Sequence, residues 1–266
     1  MRGMTSLRLS RTVVLAGAVA CMAALGVALA AEPKPDISIK TKALEASVFL
    51  DAKIKADPAL AANSVAEGRK WAEKNRAEAD KDHESNPELF PNGPWTMERK
   101  YETRSVVDGR YVSIVRNDYE NTGGAHPNSS TDTILWDKTA GKRISIRPFF
   151  TETDDSGQTL KAMRLGVVAS LKTEKKQRGL EDFDVSAIEA IEPKLLKIGP
   201  VSLAPSTVKG KSSGLTFHYS PYAVGSYAEG AYVAFVPWET LRPYLTPEGV
   251  RIFGGARPKH DEDRPQ

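Results

Sequence analysis

Four histidines, one cysteine and two glycine-bounded loops carry most of the chemistry this sequence offers. His83, His126, His218 and His260 never fall three or four residues apart, the spacing that sets two imidazoles on one helix face over a metal. The lone Cys21 excludes a cysteine-built zinc site, so no metal and no cofactor are expected. Gly210-Lys-Ser-Ser-Gly214 has the letters of a hydrolase nucleophile elbow and of the end of a phosphate loop. Both motifs need a helix directly afterwards. Here Leu215–Tyr219 alternates as a strand, and Pro205 stands where a phosphate loop needs its first glycine, so a hairpin turn is expected. His83 and His260 lie in charged, exposed contexts, and His218 reads as a packed or edge residue of a strand. His126 differs. It sits in Gly123-Gly-Ala-His-Pro127, where glycines allow a sharp turn and proline stiffens the exit. That pattern fits a structured turn, or a rigid loop presenting an imidazole. A second loop, Ser220 to Gly230, carries Tyr222, Tyr227 and Glu229, suited either to a contact surface or to capping the core. The candidate ligand- or partner-binding residues are His126, Asn128, Tyr222, Tyr227 and Glu229; no catalytic residue is assigned.

These loops need elements to hold them. Ile37–Leu50 alternates as a strand with an irregular middle. Asp57-Pro58 is a helix start, an acid N-cap with proline at the first helical position, and the helix is expected over Pro58–Glu84. Asp108-Gly109 between Trp95–Val107 and Tyr111–Tyr119 predicts a tight hairpin. Ser130–Asp137 and Lys142–Phe149 continue it as an antiparallel meander. Leu160, Met163, Val167 and Leu171 define a second helix with Ser156 as its N-cap, closed by the basic run Lys172 to Arg178. A shorter helix is expected over Asp184–Glu192. Strands follow at Val201–Val208, Gly214–Tyr219 and Ala231–Pro237, with a short helical turn at Trp238–Leu245. The fold class is α+β, with antiparallel sheets, a long N-terminal helix and two helices in the C-terminal half.

With 40% hydrophobic and 27% charged residues, the 266-residue chain is neither fibrous nor broadly disordered. Its net charge of +3 comes from the first thirty residues, where Arg2, Arg8 and Arg11 precede an apolar run from Thr12 to Leu29 and a small-x-small site at Ala28-Leu-Ala30. This is the pattern of a secretory signal peptide cleaved near Ala30; an uncleaved membrane anchor is the alternative. Cleavage takes three of the 37 basic residues and no acid, leaving 34 against 34. A neutral mature chain of about 236 residues, without cysteine, argues against a nucleic-acid partner.

Tyr119-Glu-Asn-Thr-Gly-Gly-Ala-His-Pro-Asn128 resembles the signature of a bacterial extracytoplasmic family that includes the accessory domain of the PdaC deacetylase and the extracellular domain of the RsiV anti-sigma factor. Asp137–Arg143, the helix after Phe150, and Phe217–Gly230 leading into Val233–Leu245 are similar in the same order, so the resemblance covers roughly residues 37 to 247. It implies an α+β fold in two parts, a PdaC-like module over 37–137 and an RsiV-like module over 138–250. A signal peptide (1–30) and an exposed leader (31–36) precede them, and a polar tail (251–266) follows. It also implies binding rather than catalysis, since the RsiV-type member binds lysozyme and the deacetylase activity of PdaC belongs to a separate domain. The chain lacks the paired histidines of that domain. The expectation is a periplasmic or secreted, non-enzymatic binding protein, its partner a peptidoglycan fragment or a lysozyme-like enzyme. The alternatives are an envelope hydrolase pairing His126 with Glu120 or Glu229, and a structural envelope protein.

Overall fold

The computed structural model describes residues 34–180, 184–259 and 261; the expected signal peptide lies outside them. The described residues form one compact unit. Its larger sheet runs in the order β1 (Ile37–Lys40), β2 (Leu44–Leu50), β3 (Trp95–Val107), β4 (Tyr111–Asn121), β5 (Asn128–Asp137) and β6 (Lys142–Ile144). All neighbours are antiparallel except β2 and β3. A parallel pair needs a crossover, supplied here by a turn of helix, α1 (Ala52–Lys55), and the long α2 (Pro58–Ser85). Asp57 caps α2 as expected, its side chain accepting from the Leu60 N–H. Arg76 pairs with Asp80 along the solvent side. The buried face of α2 covers Ile37, Val48, Tyr101, Ile114 and Trp136 of the sheet. Gly68 permits this approach: a Cβ there would lie 2.8 Å from Val48 Cγ1.

The Asp108-Gly109 turn has φ of 53° and 63°, the left-handed pair that a two-residue hairpin needs. Beyond β5 the expected strand to Phe149 stops at Ile144. The chain enters a 3-10 turn at Arg147–Phe149, where Pro148 offers no ladder donor and Ile146, Phe149 and Phe150 turn into the core. β5 and β6 pair directly, so the large sheet spans the expected boundary between residues 137 and 138.

Helix α3 (Gln158–Gln177) packs on a second sheet through Leu160, Met163, Val167 and Leu171. Ser156 is not its cap. It has a φ of 61°, Gly157 takes the cap position, and Glu152 accepts from the Thr159 N–H instead. The expected helix at Asp184–Glu192 shrinks to one turn, α4 (Ser186–Glu189), before β7 (Val201–Leu203), β8 (Gly214–Tyr219) and β9 (Tyr232–Pro237) form an antiparallel trio. β7 ends five residues early, shortly before Pro205. Then come α5 (Trp238–Leu241), a 3-10 turn at Arg242–Tyr244, and α6 (Pro247–Ile252), which Thr246 caps by accepting from the Gly249 N–H. Ile252 and Phe253 are buried, so the expected polar tail begins inside the fold.

The small sheet meets the large one edge-on. Leu203 N–H donates to Ser113 Oγ at 2.9 Å, and Ser105 Oγ donates to the Leu203 carbonyl at 2.7 Å. A register shift in β3 between Thr103 and Ser105 sets Arg104 against Asp261 at 2.5 Å. Val107, Tyr111 and Leu135 of the large sheet join the core of α3 and the small sheet. Among the described residues no helix is long and apolar enough to cross a membrane.

Candidate functional site

His126 lies between β4 and β5 of the large sheet, and Tyr222 and Tyr227 lie between β8 and β9 of the small one. The fold brings these two loops together. The His126 and Tyr227 rings stack with centroids 3.8 Å apart and planes 20° from parallel. Tyr222 leans on both rings, 6.2 Å from His126 and 5.4 Å from Tyr227. His126 Nδ1 faces the Pro127 carbonyl at 3.1 Å, which can only accept, so Nδ1 carries the proton. Nε2 is then the acceptor, and Tyr222 O–H donates to it at 3.2 Å. Tyr227 O–H donates to the same Pro127 carbonyl at 2.7 Å and ties the two loops together. Tyr222 is 62% exposed and His126 is exposed, so the cluster is a surface feature. Tyr222 also has a φ of 72°, a left-handed backbone that is costly for an aromatic residue.

Glu229 departs from its expected place at this surface. Its carboxylate accepts from Lys175 Nζ at 2.5 Å, Tyr232 O–H at 2.7 Å and Ser226 N–H at 2.7 Å. Burial opposes its charge, yet the hydrogen bonds from Lys175, Tyr232 and Ser226 outweigh burial and hold its pKa down to about 2. With Ser226 it forms a capping box around the turn Tyr227–Glu229. Glu229 therefore positions the loop that carries Tyr227. Asn128 opens β5 opposite Glu120, exposed and outside the hydrogen bonds of the ring cluster.

Neither acid considered as a catalytic companion meets His126. Glu229 is turned to Lys175, and Glu120 lies toward the α2 side, its pKa raised first by burial and then by neighbouring Asp118. Ser212 of the Gly-x-Ser-x-Gly pattern is fully buried, its single hydroxyl hydrogen placed between the Gly214 carbonyl at 2.7 Å and the Ala204 carbonyl at 3.0 Å. It is structural, in a ten-residue connection from β7 to β8 rather than the tight turn expected, and it bridges to Phe253. Among the described residues no group of three or more His, Cys, Asp or Glu could hold a metal ion.

A polar pair escaped the sequence reading. Ser202 Oγ lies 2.9 Å from His218 Nε2, both residues buried between the sheets. Burial, followed by the Arg104 charge, pushes the His218 pKa down to about 4. Polar residues at period two in apolar β8, Thr216 and His218, were the available signal. His218 lines a cleft of about 710 Å³ that also touches Thr131, Thr133, Ile144, Ile191 and Ser220.

Two family models match the chain, that of deacetylase PdaC over residues 35–129 and that of a protein family of unknown function, DUF3298, over residues 166–239. Together they bear out the resemblance to the PdaC-like family and point to an envelope-associated protein. The fold is similar to the crystal structure of a DUF3298 family protein from Pseudomonas aeruginosa PAO1, with a TM-score of 0.50 and 15% identity over 81% of this chain and 90% of that one. A DUF3298 family member from Bacteroides fragilis NCTC 9343 gives a TM-score of 0.49 and 17% identity, over 80% and 93%. No curated protein matches the chain.

Proposed function

We propose that this chain is an exported, non-enzymatic binding protein of the cell envelope, with the His126–Tyr222–Tyr227 cluster as its contact surface. Its partner is a cell-wall fragment or a wall-degrading enzyme such as lysozyme. The observation that carries the reading is the surface cluster itself: three rings from two loops, His126 and Tyr222 exposed and Tyr227 half-buried, one held at a strained backbone, locked by hydrogen bonds to His126 and Pro127. Rigid aromatic groups at a surface supply contact area at low entropic cost, which is why they dominate recognition sites. Strain retained at an exposed residue fits a binding role better than a stabilising one. The resemblance to the RsiV extracellular domain supports the choice of lysozyme as a probe.

The test is retention of hen lysozyme and of a muropeptide digest on the immobilised mature chain at micromolar protein. Retention of either, lost in Tyr227→Ala, supports the reading; retention of neither overturns it. Export is checked separately. Mass spectrometry of the periplasmic fraction should find a mature chain beginning at Ala31, and a cell-bound chain retaining residues 1–30 would overturn cleavage.

A further inference from the structure

The large sheet has a gap in its edge. β6 pairs only with Leu135–Asp137, and among the described residues no strand continues its line along Ser129–Ile134 of β5. In an antiparallel ladder alternate residues turn their backbone outward. Thr131 marks which ones do so here, because its N–H donates away from β4 to Ser220 Oγ at 2.9 Å. Thr133, two residues on, has the same orientation, and its N–H donates only to the neighbouring Asp132 carboxylate at 2.7 Å. Both outward amides thus rest on small side-chain acceptors that stand in for the carbonyls of an absent strand.

This edge is one wall of the 710 Å³ cleft, a volume in the range of ligand pockets. Ile144, Ile191 and Leu195 supply apolar surface, and Leu196 at the rim is 95% exposed. At the deep end His218 is 6% exposed. Its Nε2 is engaged by Ser202, while Nδ1 has no hydrogen-bond partner among the described residues. That nitrogen keeps access to solvent at the cleft wall, where a ligand atom can meet it.

We propose that this cleft binds an extended peptide, which adds as a short strand to β5 at Thr131–Thr133, continues the line of β6, and buries one apolar side chain against Ile144 and Ile191. Main-chain hydrogen bonds supply affinity and the apolar floor supplies selectivity, the usual division in strand addition. A peptide polar group meets His218 Nδ1. Ser220 and Asp132 release the two amides as the strand enters. The site adjoins the ring cluster through Ser220 but uses none of its three rings.

The test uses the mature chain and the peptide acetyl-Thr-Ile-Thr-Leu-Thr-amide, followed by amide and imidazole NMR shifts and by titration calorimetry. Shifts at Thr131, Thr133 and His218 are expected. Ala190→Trp, which fills the cleft from an exposed position, should weaken binding at least tenfold. Thr133→Pro, which deletes one outward N–H from an edge position that tolerates proline, should do the same. Tyr222→Ala should leave peptide affinity within twofold. Shifts confined to the ring cluster, no shifts at millimolar peptide, or Ala190→Trp binding as tightly as the parent would each overturn the proposal. Lysozyme or muropeptide capture is read through Tyr222 and Tyr227, so either binding activity can fail without the other.

Discussion

His126 lies flat against Tyr227, centroids 3.8 Å apart, although the two residues come from loops of different sheets. The contact is a consequence of how the sheets join. Once Ser113 and Ser105 hold Leu203 of β7 against the large sheet, the far ends of β5 and β8 converge, and Ser220 reaches the Thr131 amide. From there the β8–β9 loop reaches Pro127, where Tyr227 donates its hydroxyl hydrogen. Loop geometry at the surface is therefore set by backbone fixed in the interior.

Tyr222 and Tyr227 should separate stability from binding. Tyr227→Ala loses the stack, worth about 1 kcal/mol, and the bond to Pro127, so both stability and partner affinity should fall. Tyr222→Gly relieves about 1 kcal/mol of left-handed strain while losing an exposed ring. Urea denaturation should show little net change for Tyr222→Gly, with partner binding weakened about tenfold or more. A stability loss above about 2 kcal/mol would make Tyr222 a packing residue instead.

The Lys175–Glu229 pair should behave as a buried latch. Lys175 is 1% exposed and lies over the Tyr232 ring, so Glu229→Ala should cost about 3 kcal/mol in denaturant titration. Glu229 is held at a pKa of about 2 in the fold, below its ordinary 4.5. Its contribution is complete above pH 4.5 and is lost as pH falls from there through 2. The acid limb of a stability–pH curve should flatten over that window in Glu229→Gln.

Parts of this arrangement are legible in the sequence because their causes are local. Asp57-Pro58 caps a helix and Asp108-Gly109 turns a hairpin whatever lies around them. The ring cluster is legible only as two separate loops, since His126 and Tyr222 are 96 residues apart and no local pattern records that their strands end side by side. Lys175 is misleading for the same reason. In a basic run it reads as a charge closing the helix end, yet it is buried because a carboxylate 54 residues later comes to meet it. The strand expected through Phe149 fails where side chains outside the segment recruit Ile146 and Phe149 into their core.

Gly214 ends the Gly-x-Ser-x-Gly pattern, and its φ of 151° explains the pattern without chemistry. A Cβ at this position would lie 2.2 Å from the Val236 carbonyl oxygen, and that oxygen belongs to the paired strand β9 and cannot give way. Gly214→Ala should therefore destabilise by several kcal/mol, above about 3, with thermal melting as the measure. Ser212→Ala, which removes a buried hydroxyl whose one hydrogen faces two carbonyls, should cost about 1–2 kcal/mol.

His218 makes a further acid-sensitive element, with a sign that can be worked out. In the unfolded chain the imidazole takes up a proton near pH 6.5; in the fold, burial and then Arg104 delay uptake to about pH 4. Between these values the unfolded state binds more protons, so stability falls as pH drops from 6.5 to 4, by about 3 kcal/mol in all. Above pH 6.5 the ring is neutral in both states and contributes no slope. Urea midpoints at pH 7, 5.5 and 4 should decline steadily in the parent, and His218→Gln should remove most of that decline while keeping a polar group beside Ser202. A parent curve flat between pH 6.5 and 4 would mean that the folded ring accepts its proton as readily as the unfolded one.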